Sequence, residues 1–194
     1  MDNKKEKSTL TSVLFDVVSI VATAAVAVGL CFVCFFRTIQ VSGESMLPTL
    51  DNGEQVILQS IYTKPQNGDV VVTAQPNPSP VIEDVLIKRV IATAGQTVKL
   101  ERNADGVTYS VYVDDVKLDE PYIKEPVIRT LDYWKPVTVP EGYVYVMGDN
   151  RNNSTDSRSL SVGLIKEEYI MGKALFRIAP FGNFKINYVD GRNP

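Results

Sequence analysis

Ser45 sits in a segment rich in turn formers, Val41-Ser42-Gly43-Glu44-Ser45-Met46-Leu47-Pro48-Thr49-Leu50, and the 194-residue chain contains no histidine. A serine nucleophile needs a base to take its proton, and without an imidazole the Ser-His-Asp solution is closed. Lysine is the main surviving base, provided its amine is neutral. Lys88 has a suitable setting in Val85-Leu86-Ile87-Lys88-Arg89-Val90-Ile91. Strand alternation places Leu86, Lys88 and Val90 on one face and Ile87, Arg89 and Ile91 on the other. A lysine on such an apolar face either snorkels to water along its stem or is buried. Burial would lower its pKa from about 10.4, by as much as 3 to 5 units at the extreme, and supply a free amine near neutral pH. The corner around Ser45 can aim backbone N–H groups at a developing oxyanion, although turn serines commonly do no more than satisfy backbone groups.

A third segment, Gly148-Asp149-Asn150-Arg151-Asn152-Asn153-Ser154-Thr155-Asp156-Ser157-Arg158, follows an apolar strand over Tyr143 to Met147. Local bonding pairs Asp149 and Asp156 with Arg151 and Arg158 and ties the Asn and Ser side chains to backbone. A lysine base also needs a hydroxyl to orient it, and Ser154 or Ser157 could supply one.

The elements that must position these residues begin with an apolar run from Phe15 to Phe36, 22 residues with Asp16 as its only acid. At 1.5 Å per residue it spans roughly 33 Å, enough for a hydrocarbon core of about 30 Å. A cleaved leader would have a shorter apolar core and a small-residue cleavage site, whereas this run ends Cys31-Phe32-Val33-Cys34-Phe35-Phe36-Arg37. Lys4, Lys5 and Lys7 on one side against Arg37 on the other place residues 1–14 in the cytoplasm and residues 37–194 outside. Cys31 and Cys34 share a helix face within the span; with no histidine and no second cysteine pair they read as packing residues, and no metal or cofactor is expected.

Beyond Arg37 the pattern changes to short β-rich runs broken by Pro, Gly, Asn and Asp. Strands are expected over Thr38–Ser42, Gln55–Ile61, Asp69–Thr73, Val81–Ile91, Thr97–Glu101, Val107–Val113, Val116–Leu118, Tyr143–Met147 and Ala174–Ile178. The chain from Tyr109 to Leu118 reads as a hairpin turning at Asp114-Asp115, a poorer two-residue turn than Asp-Gly. Asn77-Pro78-Ser79-Pro80 reads as an exposed connection. The fold class is therefore mainly β: one N-terminal transmembrane helix, then an antiparallel β domain, with residues from about 96 to 140 as a peripheral β subdomain. A net charge of −3 gives no basic field for nucleic acid.

These segments together resemble the bacterial type I signal peptidases, membrane-bound serine-lysine proteases that remove signal peptides from exported proteins. Ser42 to Leu50 is similar to the family's nucleophile box, Lys88-Arg89-Val90-Ile91 to its lysine box, and Gly148 to Arg158 to its Gly-Asp-Asn-Arg box, in the family's order behind one span. The resemblance implies Ser45 as nucleophile, Lys88 as general base, Ser154 as the hydroxyl bonded to the lysine, and Asp149, Arg151, Asp156 and Arg158 as residues that hold the site together. It implies a bacterial cell-membrane location. Some members carry an oxyanion-donating serine two residues before the nucleophile, where this chain has Gly43. The implied partners are preprotein signal peptides and the lipid bilayer, with no obligatory partner subunit. The implied substrate is an extended segment with small side chains, added as a strand against Ile39, Val41, Met46 and Ile87. Residues 101 to 142 carry little of the resemblance. The rival readings are another serine-lysine hydrolase and a non-catalytic membrane-tethered β binding domain.

Overall fold

The computed structural model describes residues 2–62, 64–74, 85–132, 135–180 and 186. The chain divides into two compact units at Arg37. The first unit is dominated by helix α1 (Asp2–Phe35). Its stretch Ser12–Phe35 is long and apolar enough to cross a bilayer, at about 36 Å for 1.5 Å per residue. Apolar side chains such as Phe15 and Val33 are exposed on it, the state of a helix whose neighbours are lipid. Helix already runs through most of residues 2–14, so the charged N-terminal stretch continues the span as regular structure.

Among the described residues eleven strands follow: β1 (Phe36–Gln40), β2 (Gln55–Gln59), β3 (Val70–Ala74), β4 (Val85–Ala92), β5 (Thr97–Arg102), β6 (Tyr109–Val113), β7 (Val116–Lys117), β8 (Val137–Thr138), β9 (Tyr143–Met147), β10 (Ile165–Lys166) and β11 (Ile170–Ala179). Seven form one sheet in the order β1-β2-β11-β3-β4-β9-β10, and four form another in the order β7-β6-β5-β8. Pairings from β2 across to β10 are antiparallel. The four-stranded sheet occupies the stretch Thr97 to Thr138. Residues 81–84, where a strand was expected to begin, and the expected connection at 77–80 lie outside the described residues.

Both faces of the larger sheet are covered, which explains why its central strands read as continuous apolar runs. Val70 and Val72 point into one cluster with Val41, Met46, Leu50 and Ile87, while Val71 joins Val90, Val144 and Val146 on the other side. Tyr145 and Met147 alternate away from Val144 and Val146 to meet Val98, Val111 and Val113 of the smaller sheet. Each fully buried valine or leucine in these clusters contributes about 1.5–3 kcal/mol relative to exposure.

The hairpin between β6 and β7 turns at Asp114-Asp115 with φ of 50° and 66°, pairing Val113 with Val116. Positive φ at both central residues is the geometry two-residue hairpins favour, at a cost for any side chain. Local bonds offset that cost: Asp114 Oδ1 accepts from the Thr97 N–H at 2.8 Å, and Asp115 pairs Lys99 at 2.7 Å.

Candidate active site

Ser45 reaches the site on a corner between β1 and β2. Gly43 has φ +81° there, a left-handed backbone that glycine adopts without strain, and its N–H donates to Asn52 Oδ1 at 3.0 Å. A serine at position 43 would strain the backbone at this φ. Below the corner, Val41 is 3% and Met46 1% exposed, and both belong to the core.

Lys88 is 3% exposed on β4. Its Nζ lies 2.8 Å from Ser45 Oγ and donates to the Ile87 carbonyl at 3.0 Å. The long stem thus bends its tip back past its own strand neighbour, and Ile87 and Lys88 both line one cavity despite alternating along the strand. That cavity, about 350 Å³, is also lined by Ser42, Ser45 and the apolar side chains Ile39, Val72, Val85 and Met171. Of the four residues expected to meet substrate, Ile39 and Ile87 line it. Val41 and Met46 are packed in the core beneath the corner and do not line the cavity.

The third segment closes the site from behind. Asn150 holds the backbone around Ser45: its N–H donates to the Ser45 carbonyl at 3.0 Å and its side-chain amide to the Glu44 carbonyl at 3.1 Å. Asp149, fully buried, receives Arg89 Nε at 2.9 Å and Nη2 at 2.7 Å. Thr49, four residues after Ser45, donates to the same carboxylate at 2.5 Å. The expected pairing of Asp149 with Arg151 is therefore not made. Arg151 opens a short 3-10 turn (Arg151–Asn153), and its guanidinium reaches Gly148 O at 3.1 Å and Glu120 at 3.0 and 2.5 Å. The pairing of Asp156 with Arg158 is made, at 2.8 and 2.7 Å with both side chains fully buried. Burial alone would raise the Asp156 carboxyl, but the Arg158 hydrogen bond and charge, with the Gly148 N–H, outweigh it and hold the carboxyl below its ordinary 3.8. Ser157 Oγ accepts from the Val146 N–H at 2.9 Å.

Ser154 lies against Gly148. A β-carbon on Gly148 would fall 2.3 Å from Ser154 Oγ and 2.5 Å from the Ser45 carbonyl oxygen. The Ser154 hydroxyl is buried and stands beside the Asp156 carboxyl, which it helps to hold below its ordinary value. Asn150, Thr49 and Arg89 stood inside the quoted boxes without a role of their own. Only their partners in space reveal what they do.

The family model for "Signal peptidase, peptidase S26" matches residues 14–179. The chain is 40% identical over 147 residues to a probable signal peptidase I-1 of Synechocystis sp., covering 72% of this chain and 69% of that one. It is 30% identical over 195 residues to signal peptidase I of Bacillus amyloliquefaciens, covering 95% and 98%. Against signal peptidase IB of Staphylococcus aureus it is 35% identical over 167 residues, covering 76% and 80%.

Proposed function

The chain belongs to the signal peptidase family, peptidase S26, and is a membrane-anchored peptidase that cleaves signal peptides; from that premise we propose that it works through a Ser45–Lys88 dyad and an acyl-enzyme. The observation that carries this reading is the 2.8 Å contact between Lys88 Nζ and Ser45 Oγ in a chain without histidine. That is hydrogen-bond reach for a base and its nucleophile. A proton can be accepted only by the neutral amine, and burial favours the neutral form of a lysine.

With the amine neutral, the Ser45 hydroxyl donates to Nζ, passes its proton across and attacks the scissile carbonyl. The resulting lysine ammonium then protonates the leaving amine, and the same lysine activates the water that releases the acyl group. The Ser45 backbone N–H is the donor for the oxyanion. The apolar lining at Ile39, Val72, Ile87 and Met171 suits small side chains of an extended preprotein segment. The partners are then preproteins and the bilayer, with residues 1–14 cytoplasmic and the β domain, residues 37–194, on the outer face of a bacterial cell membrane. Asp149, Arg151, Asp156 and Arg158 hold the dyad's backbone, and no partner subunit is required.

Ser45→Ala and Lys88→Ala, each purified and folded, should cut preprotein cleavage to near background, and the double variant should lose little more, since the two side chains act as a unit. Ser45 labelling by a fluorophosphonate should vanish with Lys88→Ala. Substantial cleavage by either single variant overturns the dyad. Protease protection in oriented vesicles reads the topology, and shielding of residues 37–194 on the cytoplasmic side would contradict it.

A further inference from the structure

Glu120 and Tyr122 come from the irregular stretch after β7, a region with no recognisable motif, yet both side chains are sunk beside the site. Tyr122 is 5% exposed and the Glu120 side chain 8%. The Tyr122 ring lies against two guanidinium groups, with Arg89 Cζ 4.0 Å and Arg151 Cζ 5.9 Å from its centroid. Its hydroxyl donates to Glu120 at 3.1 Å, and the same carboxylate receives both prongs of Arg151. Burial pushes the Tyr122 phenol well up, so it keeps the proton it donates.

The far ends of these two arginines reach the nucleophile's support. In the plane of its guanidinium, Arg89 is committed to Gly68 O and to Asp149, which leaves its face to be covered, and an aromatic ring covers a cation's face favourably where an aliphatic one does not. Arg151 holds the Gly148 carbonyl. Next in the chain, Asn150 carries the Ser45 carbonyl. A backbone bond from the Lys124 N–H to Asp149 O, at 3.1 Å, ties the same stretch to the same turn.

We propose that Glu120 and Tyr122 are positioning residues for signal-peptide cleavage, fixing Arg89 and Arg151 and through them the Gly148–Asn150 turn on which Ser45 is registered. This rests on the reading of Ser45 as the nucleophile. Neither residue lines the substrate cavity, so the effect of losing them falls on turnover and not on substrate binding.

The test uses the full-length protein in detergent or vesicles, with a preprotein substrate. Tyr122→Leu, which removes the ring face, should lower kcat about ten- to a hundredfold while KM stays within about twofold. The rate of Ser45 fluorophosphonate labelling should fall in parallel. Tyr122→Phe keeps the ring and loses only the Glu120 bond, and should retain most of the turnover. Glu120→Gln keeps the shape and removes the charge, should lower kcat about tenfold by the same misplacement, and carries the test if Tyr122→Leu does not fold. An unchanged kcat in the folded variant, a rise in KM instead, or equal losses in the Phe and Leu variants would each overturn the inference. Ser45→Ala is run alongside: if it still cleaves, the dyad itself falls, whereas a dead Ser45→Ala beside a fully active Tyr122→Leu removes the positioning role alone.

Discussion

Gly148→Ala asks whether the carbonyl of Ser45 is fixed in space. Gly148 is not among the positive-φ residues, so an alanine there is opposed by lack of room and not by backbone conformation. The new carbon would lie 2.3 Å from Ser154 Oγ, 2.6 Å from Ser154 Cβ and 2.5 Å from Ser45 O. Carbon-to-oxygen contacts settle at about 3.3–3.6 Å, so the carbonyl must withdraw by roughly 1 Å. The Ser45 carbonyl is held by the Asn150 N–H at 3.0 Å, and the preceding Glu44 carbonyl by the Asn150 side chain. A misplacement of about 1 Å at the reacting group costs on the order of a hundredfold in rate, or about 2.7 kcal/mol of barrier. Overpacking should cost about 1–3 kcal/mol of stability as well. The assay is single-turnover cleavage of a preprotein under conditions where urea titration shows the variant folded. Adding Ser154→Gly removes both Ser154 contacts and leaves the one to Ser45 O, so the double variant should stay slow. Wild-type turnover in Gly148→Ala, or its recovery in the double variant, refutes the argument.

Three further outcomes follow from the same geometry. Because the folded Asp156 carboxyl is held below 3.8, its stabilisation is complete above the unfolded pKa of about 3.9 and is lost as pH falls through the folded value. Asp156→Asn leaves Arg158 buried without its countercharge, which should cost about 3–5 kcal/mol near pH 7. It should also flatten the acid-side fall of the denaturant midpoint, and a variant that loses stability with acid as steeply as wild type would count against the pairing. Lys88→Met nearly keeps the volume and removes the amine, so it should abolish cleavage with a neutral-pH urea midpoint equal to or above wild type, since no charged group then needs burial; a clearly lower midpoint would mark Lys88 as an ordinary charged lysine. A protein lacking residues 1–36 should fold, because Thr38–Pro194 is a compact unit, and should cut a soluble peptide at the full-length rate but a membrane-borne preprotein more slowly, having lost the anchor's local concentration. Equal rates on the membrane substrate would dismiss that role.

Legibility in the sequence followed how local each interaction is. β9 has the bounds its apolar run predicts, Tyr143–Met147, because both faces are buried and turn residues flank it. β8 and β10 went unforeseen, since two-residue pairings leave no periodicity to read. β11 runs from Ile170 to Ala179, longer than its expected core, because register shifts beside β2 let it accommodate residues that break alternation. In the site, residue type and setting marked Ser45 and Lys88 as candidates, and the fold brings the two side chains within 2.8 Å of each other. The partner of Asp149 was not: proximity in the chain favoured Arg151, but the fold supplies Arg89 from sixty positions away. That Val41 and Met46 belong to the core was hidden for a related reason, since a strand's exposed edge and its core face are indistinguishable until the corner after β1 is known. Glu120 and Tyr122 left no signal, because their role depends on a stretch without a motif folding back onto two arginines from other segments.

The sheet order carries a consequence for biosynthesis. Ser45 follows β1 and β2 is its neighbour, while Lys88 lies on β4 beside β3, and β11 lies between these two pairs in the sheet. Among the described residues, β11 is the last strand to be made. A chain still being synthesised, at about 5–20 residues per second, therefore carries Ser45 and Lys88 beside two strand pairs that lack their shared sheet neighbour until β11 arrives. Completion of the sheet that carries both residues is in this way tied to the synthesis of Ile170–Ala179, well after Ser45 and Lys88 have themselves been made.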